Sequence, residues 1–218
     1  MSNKKVYTVN KDSNHTQDTE ERILHAAEKE FFEKGYAGAR TASIAEAAGV
    51  THAMLHYYFR TKDNLFGRIV AEKINMLGDI ILSAFGDGNL PLEERIRQGV
   101  ERHFDFIAAN RELPRFIVNE VLARPKQTGI MKDNALRIVN KLLDNLQQDI
   151  DEHAAKGLCR RVNAQMLLID IVSLNVFPFM AAPIVKSAIG SYYDNYDSFL
   201  ELRKKENVET ILEKLKLD

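Results

Sequence analysis

The sequence predicts an all-α protein, and three observations carry that prediction. Glycine and proline are sparse, at 11 and 5 of 218 residues, while Ala, Leu, Ile, Glu and Lys abound, a composition that favours helices. Apolar residues recur at helical spacing, as in Ile23, Ala27 and Phe31, which gathers them on one stripe. No stretch alternates apolar and polar residues as a half-buried strand would, and no internal repeat appears. The length suffices for one large or two modest domains, each with its own core. The expected organisation is a flexible polar tail over residues 1–17, a small helical domain over 18–66 and a larger one over 67–218.

Composition narrows the function classes. A hydrophobic share of 45% with 28% charged residues is ordinary for a globular protein. The net charge of -1 excludes a polybasic nucleic-acid binder but leaves room for a local basic surface. Cys159 is the only cysteine, so it forms no intrachain disulfide and is expected as a small buried thiol in a reducing compartment. The N-terminal stretch lacks the apolar run of a signal peptide, and a cytoplasmic location is expected. Residues 166–185 reach membrane-spanning length but contain Asp170, Ser173, Asn175 and two prolines. A central Asp alone costs about 2.5–3.5 kcal/mol on insertion scales, so a helix buried in a core or subunit interface is expected there, with no membrane partner.

Enzyme motifs are missing: no Gly-rich phosphate loop, no Gly-x-Ser-x-Gly elbow and no Cys/His pair at catalytic spacing, so no catalytic residue is assigned. Gly86-Asp87-Gly88 is a turn signal without the acidic ligand series of a calcium loop. Asp149 and His153 stand four apart on one helix, but no second pair completes a metal site. Neither a metal nor a cofactor is expected.

Taken in order, residues 1–17 carry Lys4, Lys5 and Lys11 and little to bury; they read as a disordered tail or as a basic arm against DNA. A helix over 19–34 starts at a cap on Asp18 or Thr19, with Glu20 and Glu21 at the positive end of its dipole. Gly35 supplies its stop. From Arg40 to Lys62 two short helices are expected, over 42–48 with Thr41 as cap and over 52–58 with Thr51 as cap. Ala48-Gly49-Val50 makes the turn between them, and helix, Gly-containing turn, helix is the outline of a helix-turn-helix. Ile44, Ala45, Ala48, Val50, Leu55, Tyr58 and Phe59 supply the apolar partners of the first helix. That leaves Thr51, His52, Ala53, Met54, His56 and Tyr57 on the free side, a set able to touch base edges and phosphates.

These residues resemble the N-terminal domain of the TetR family of tetracycline-repressor-like transcriptional regulators. The resemblance rests on Ile23-Leu24-x-Ala26-Ala27, Phe31, Gly35-Tyr36, Thr41, Ile44-Ala45, Ala48-Gly49-Val50, Leu55, Tyr58-Phe59 and Lys62-Asp63-x-Leu65. It covers roughly the first third of the chain; beyond that only the helical architecture is shared. It implies that Thr41 and Thr51 offer hydroxyl and backbone N–H groups to phosphates. It also implies that His52 and Ala53 lie against the bases, that Met54 and His56 read them, and that Tyr57 and Lys62 bind the backbone. Arg40 and Arg60 add charge nearby. One departure stands out: the recognition helix has no Arg or Lys, so the common bidentate guanine contact is missing. Recognition is then expected to rest on His56, thymine-methyl contacts from Ala53 or Met54, and DNA shape.

Further helices are expected over 62–85, capped by Thr61 and shared by both domains as a lever, and over 92–110, 114–123, 131–155, 163–189 and 196–215. Pro178 should kink the apolar helix over 163–189. That helix is hydrophobic nearly all round and must be buried on every side. The resemblance implies a homodimer in which the helices over 163–189 and 196–215 form a four-helix bundle. Two recognition helices would then reach successive major grooves about 34–36 Å apart on a palindromic double-stranded operator. Aromatic and methionine residues, Tyr192 and Tyr193 among them, are expected to fill cores and interfaces, and some to line an effector cavity. The candidates for that cavity are His103, Phe104, Phe116, Asn119, Asn175, Phe177, Phe179 and Met180, with Asp170 a further polar group. The resulting expectation is a homodimeric repressor released from DNA by an unknown small apolar or amphipathic molecule. A helical protein-interaction module that has lost DNA binding is the alternative, and the cation-free recognition helix supports it.

Overall fold

A computed structural model describes the backbone of residues 11–85, 90–123, 125–190, 193 and 195–217, with side chains except at 11–16, 80–85, 125–136 and 138. Among the described residues every regular element is a helix. The chain divides into two compact units, Met1–Val70 and Ala71–Asp218. Residues 1–10, the turn at 86–89 and Tyr192 lie outside the described residues.

In the first unit α1 spans Lys11–Gly38, α2 Thr41–Ala47, α3 His52–Phe59, and α4 opens at Lys62 and runs unbroken to Phe85. The start of α1 corrects the expected boundary at residue 19. No Pro or Gly stands between Lys11 and Lys34, and extending a helix that already exists costs far less than nucleating one. At Gly35 the backbone leaves helical geometry, with φ 66° and ψ 173°, so the expected stop is a kink followed by one further turn. Ile23, Ala27 and Phe31 of the predicted stripe are fully buried, with Ile44, Leu55, Leu65 and Phe66. The Phe31 ring meets that of Phe66 edge to face at 5.2 Å. Thr61 caps α4 as expected, its hydroxyl oxygen accepting from the Asn64 N–H at 3.1 Å.

The second unit contains α5 (Leu92–Ala109), α6 (Leu113–Phe116), α7 (Pro125–Ala155), α8 (Ala164–Met180), α9 (Ala182–Ile189) and α10 (Tyr196–Glu213). After α6 the chain widens into a π-helical turn, Ile117–Val121. α7 begins six residues before the expected start at 131, with Pro125 at its head, where a missing N–H does least harm. The apolar stretch 163–189 is not one helix. It breaks at Ala181 into α8 and α9, which are bent by 81°. The break precedes Pro183 at the head of α9, while Pro178, the expected kink, sits inside α8. Pro183 cannot donate to the carbonyl four residues back and its ring crowds that carbonyl, so the helix restarts there. Among the described residues no single helix is long and apolar enough to cross a membrane.

The core of this unit joins Ile96 and Val100 of α5, Leu146 and Ile150 of α7, Leu167 and Ile171 of α8, and Val208 and Ile211 of α10. Cys159 belongs to it as a buried thiol, and burial raises its pKa. A polar chain runs through the same interior. Asn175 Nδ2 donates to the Val100 carbonyl at 2.9 Å and approaches His103 Nδ1 at 3.0 Å. Asn207 Nδ2 donates to Asn175 Oδ1 at 2.9 Å. Because an amide nitrogen only donates, His103 Nδ1 is the acceptor and the ring is the neutral Nε2–H tautomer. Burial pushes the His103 pKa down to about 4.

The sign of the resulting pH dependence follows from these two states. In the unfolded chain a histidine charges near its ordinary value of about 6.5, whereas folded His103 stays neutral down to about 4. The unfolded chain therefore binds the extra proton in that window, and stability falls as pH drops through it. Urea denaturation should show this group's contribution shrinking by about 2 kcal/mol between roughly pH 7 and 4.5. His103→Gln, whose amide oxygen can still accept from Asn175, should lose most of that slope.

Candidate nucleic-acid interface

α2 is entered through Arg40, an extended residue with φ -123° and ψ 127° and no side-chain cap. Thr41 is thus the first helical residue and not the expected cap. The reason lies on α1: Glu30 Oε1 accepts the Arg40 N–H at 3.2 Å, so a carboxylate from another helix meets the α2 entrance. Glu30 is buried and bonded to Lys34 at 2.7 Å, and that bond holds its carboxyl below the usual range despite burial. The Thr41 hydroxyl instead lies 3.0 Å from His52 Nε2, joining α2 to α3.

The turn is a left-handed stop. Gly49 has φ +66°, its N–H donates to the Glu46 carbonyl, and the Val50 N–H donates to the Ala45 carbonyl, both at 3.0 Å. This pairing satisfies the last carbonyls of α2 at a position where glycine carries no Cβ penalty. α3 then starts on Thr51, whose Oγ1 accepts the Met54 N–H at 3.2 Å and keeps its own hydrogen free to donate. Leu55, 1% exposed, and Phe59 anchor α3 to the interior. Thr51, His52, Ala53, Met54, His56 and Tyr57 are all exposed, and Tyr57 reaches 81%. The free side expected from the sequence is the free side of the fold.

α3 ends in a strained turn that sequence reasoning missed. Arg60 has φ 59° and ψ -52°, and the Thr61 N–H donates back to the Phe59 carbonyl at 2.6 Å, the geometry of a γ-turn with positive φ. Arg60 is the only non-glycine residue with positive φ among the described residues. His56 Nδ1 lies 2.8 Å from the Arg60 carbonyl oxygen; a carbonyl only accepts, so Nδ1 carries the hydrogen. The His52 and His56 rings meet edge to face at 4.5 Å.

Lys62, expected to bind the DNA backbone as a cation, makes contacts within the first unit. Its Nζ donates to the Ala39 carbonyl at 2.7 Å and lies 4.6 Å above the Tyr36 ring, while the Tyr36 hydroxyl bonds Asp63. A lysine beside a backbone carbonyl and an aromatic face is drawn to both, so Lys62 ties the loop before α2 to the start of α4. Arg40 and Arg60 are exposed.

The residues proposed from sequence for an effector cavity fall into two groups. His103, Phe104, Phe116, Asn175 and Phe179 are buried, and Phe104 packs edge to face on Phe179 at 5.5 Å. Asn119, Phe177 and Met180 lie on the surface, so the set does not converge on one space. Asp170 is paired with Lys214. The Asp149 carboxylate is taken by buried Arg95 at 2.8 Å, and His153 Nδ1 donates to the Asp149 carbonyl. Glu30, the Arg60 turn and the Tyr36–Asp63 bond went unread; the only trace of them is the i, i+4 spacing of Glu30 and Lys34 ahead of Gly35.

The strain at Arg60 is measurable. Arg60→Gly relieves the positive-φ penalty while keeping the carbonyl that His56 binds, and should stabilise the chain by about 1 kcal/mol in thermal or urea denaturation. Arg60→Ala should gain nothing.

Comparison with known proteins agrees with this geometry. The family model described as "Bacterial regulatory proteins, tetR family" matches residues 23–69. RutR, an HTH-type transcriptional regulator of Escherichia coli K12, is 30% identical over 158 residues, 71% of this chain and 68% of its own. YdgC, an HTH-type transcriptional regulator of Bacillus subtilis, is 25% identical over 130 residues. The match covers 57% of this chain and spans 64% of YdgC's length. Among solved structures, the transcriptional regulator FadR from Bacillus subtilis in complex with stearoyl-CoA superposes with a TM-score of 0.65 at 16% identity, over 89% of this chain and 98% of that one. With a helix-turn-helix at the matched residues and RutR 30% identical over more than two thirds of its own length, the chain belongs to the tetR family of bacterial regulatory proteins.

Proposed function

We propose that this protein is a homodimeric transcriptional repressor that binds a palindromic operator in double-stranded DNA through α3 and is released by a small apolar or amphipathic effector. The observation that carries the DNA half is the split of α3 into two sides. Leu55 and Phe59 are buried while Thr51, His52, Ala53, Met54, His56 and Tyr57 all face solvent. A helix held by two anchors with hydroxyl, imidazole, thioether and phenol groups outward suits a major groove. Thr51, Arg40 and Arg60 would contact phosphates; Lys62 would act mainly by holding the loop before α2.

Dimerisation is supported by α8. Met166, Ile169, Val172, Phe177 and Met180 form an exposed apolar stripe along it, and Ile184 of α9 and Leu202 of α10 are exposed as well. Soluble chains rarely leave such a stripe in water without a partner. A second copy related by a two-fold axis would cover it and present the second α3. The effector is proposed to bind in the second unit near His103, Phe104 and Phe179. FadR, which shares the fold, takes an amphipathic ligand.

Fluorescence anisotropy on duplex DNA tests the reading face. Tyr57→Ala and His56→Ala should each bind at least about tenfold more weakly than the parent. Parent-like binding by both would remove α3 as the reading element. The absence of Arg and Lys from α3 favours the second reading, an interaction module that has lost DNA binding. Binding to duplex DNA that weakens steeply with salt would exclude it. For the dimer, Ile169→Asp with Phe177→Asp should shift the sedimenting species from dimer to monomer.

A further inference from the structure

The geometry points to His56 as the residue that sets base choice at one operator position, reading an amino group of adenine or cytosine through its Nε2 lone pair. This rests on the proposal that α3 reads DNA and goes beyond it by naming what one side chain reads.

The inference begins at the α3 terminus. His56 Nδ1 is committed as a donor to the Arg60 carbonyl at 2.8 Å, a bond held in place by the positive-φ turn at Arg60. In the neutral ring the other nitrogen, Nε2, then has a lone pair and no hydrogen. His56 is exposed on the outward side of α3. In a major groove an acceptor finds partners only at the amino groups of adenine and cytosine, because guanine presents two further acceptors, N7 and O6. On α3 no Arg or Lys overrides it.

Among the described residues no hydrogen bond takes His56 Nε2. On α3 itself the neighbour is the His52 ring, edge to face at 4.5 Å. From α2 the Thr41 hydroxyl approaches His52 Nε2 at 3.0 Å, so the two histidines are not interchangeable. The charged residues at the borders of α3 and its neighbours are Arg40, Arg60 and Lys62, and Lys62 is bonded to the Ala39 carbonyl. Among the described residues no carboxylate bonds to either ring.

The test is selection of binding sequences from a randomised duplex pool on the full chain at about pH 8, with parent and His56→Ala. At one position in each half-site the parent should prefer adenine or cytosine about fivefold. His56→Ala should lose preference at that position alone; the retained positions show that it folds. As a check without mutation, a duplex carrying a base that lacks the amino group at that position should bind the parent about fivefold more weakly. Guanine or thymine chosen at that position, or a preference that survives in His56→Ala, overturns the assignment. Enrichment of no sequence would instead overturn DNA reading by α3, and this assignment with it.

Discussion

Helices of seven and eight residues are too short to persist alone in water, and that constraint governs the first unit. α2 and α3 have those lengths, so their shape is lent to them by α1 and the start of α4. Phe31 and Phe66 form the apolar floor. The loop before α2 is gripped from two sides, by Glu30 on the Arg40 N–H and by Lys62 on the Ala39 carbonyl. The Thr41 hydroxyl then meets the first residue of α3, and the His56 ring closes its last turn. On the outward face of α3, Thr51, His52 and His56 are positioned by bonds to the Met54 N–H, the Thr41 hydroxyl and the Arg60 carbonyl. In a chain whose formal net charge is -1, recognition must come from this local placement, because bulk electrostatic attraction to a polyanion is not available.

The second unit resolves a different conflict. Its α8 is apolar on almost every side, yet it buries Ala164, Leu167, Ile171 and Phe179 on one face and leaves Met166, Ile169 and Phe177 on the other. A single subunit can satisfy only the first face. Within the interior the polar groups are satisfied mostly by each other: Arg95 by Asp149, Asn175 by Val100, His103 and Asn207. Buried polar groups are costly when unpaired and specific when paired, so this chain of bonds selects one mutual setting of α5, α8 and α10.

What could be read from the sequence was what depends on local spacing. Ile23, Ala27 and Phe31 fell on one stripe because the helical period is fixed, and Gly49 marked the turn because left-handed backbone favours glycine. Thr51 and Thr61 were legible as caps because their hydroxyls act within three residues. Thr41 was misread as a cap because the competing carboxylate, Glu30, is eleven residues away in sequence and arrives only through the fold. The contacts of Lys62 within the fold were unreadable because its partners, Ala39 and Tyr36, are more than twenty residues upstream. The break at Ala181 was placed at Pro178, which α8 carries in its interior, whereas the helix restarts ahead of Pro183. His103 and Asn175 were picked as polar groups of the larger domain, but that they would bond to each other needed the three-dimensional arrangement.

The position of Asn175 has a mechanical consequence. It lies past the midpoint of α8, a little before the break at Ala181, and its amide bonds three groups on two other helices, the Val100 carbonyl and His103 on α5 and Asn207 on α10. A helix held by apolar contacts alone can creep along its neighbours in small increments, since one methyl group replaces another at little cost. A helix pinned through a buried amide cannot. Translation by less than a full turn would strand several polar atoms at once in a dry interior, so axial motion of α8 has a detent.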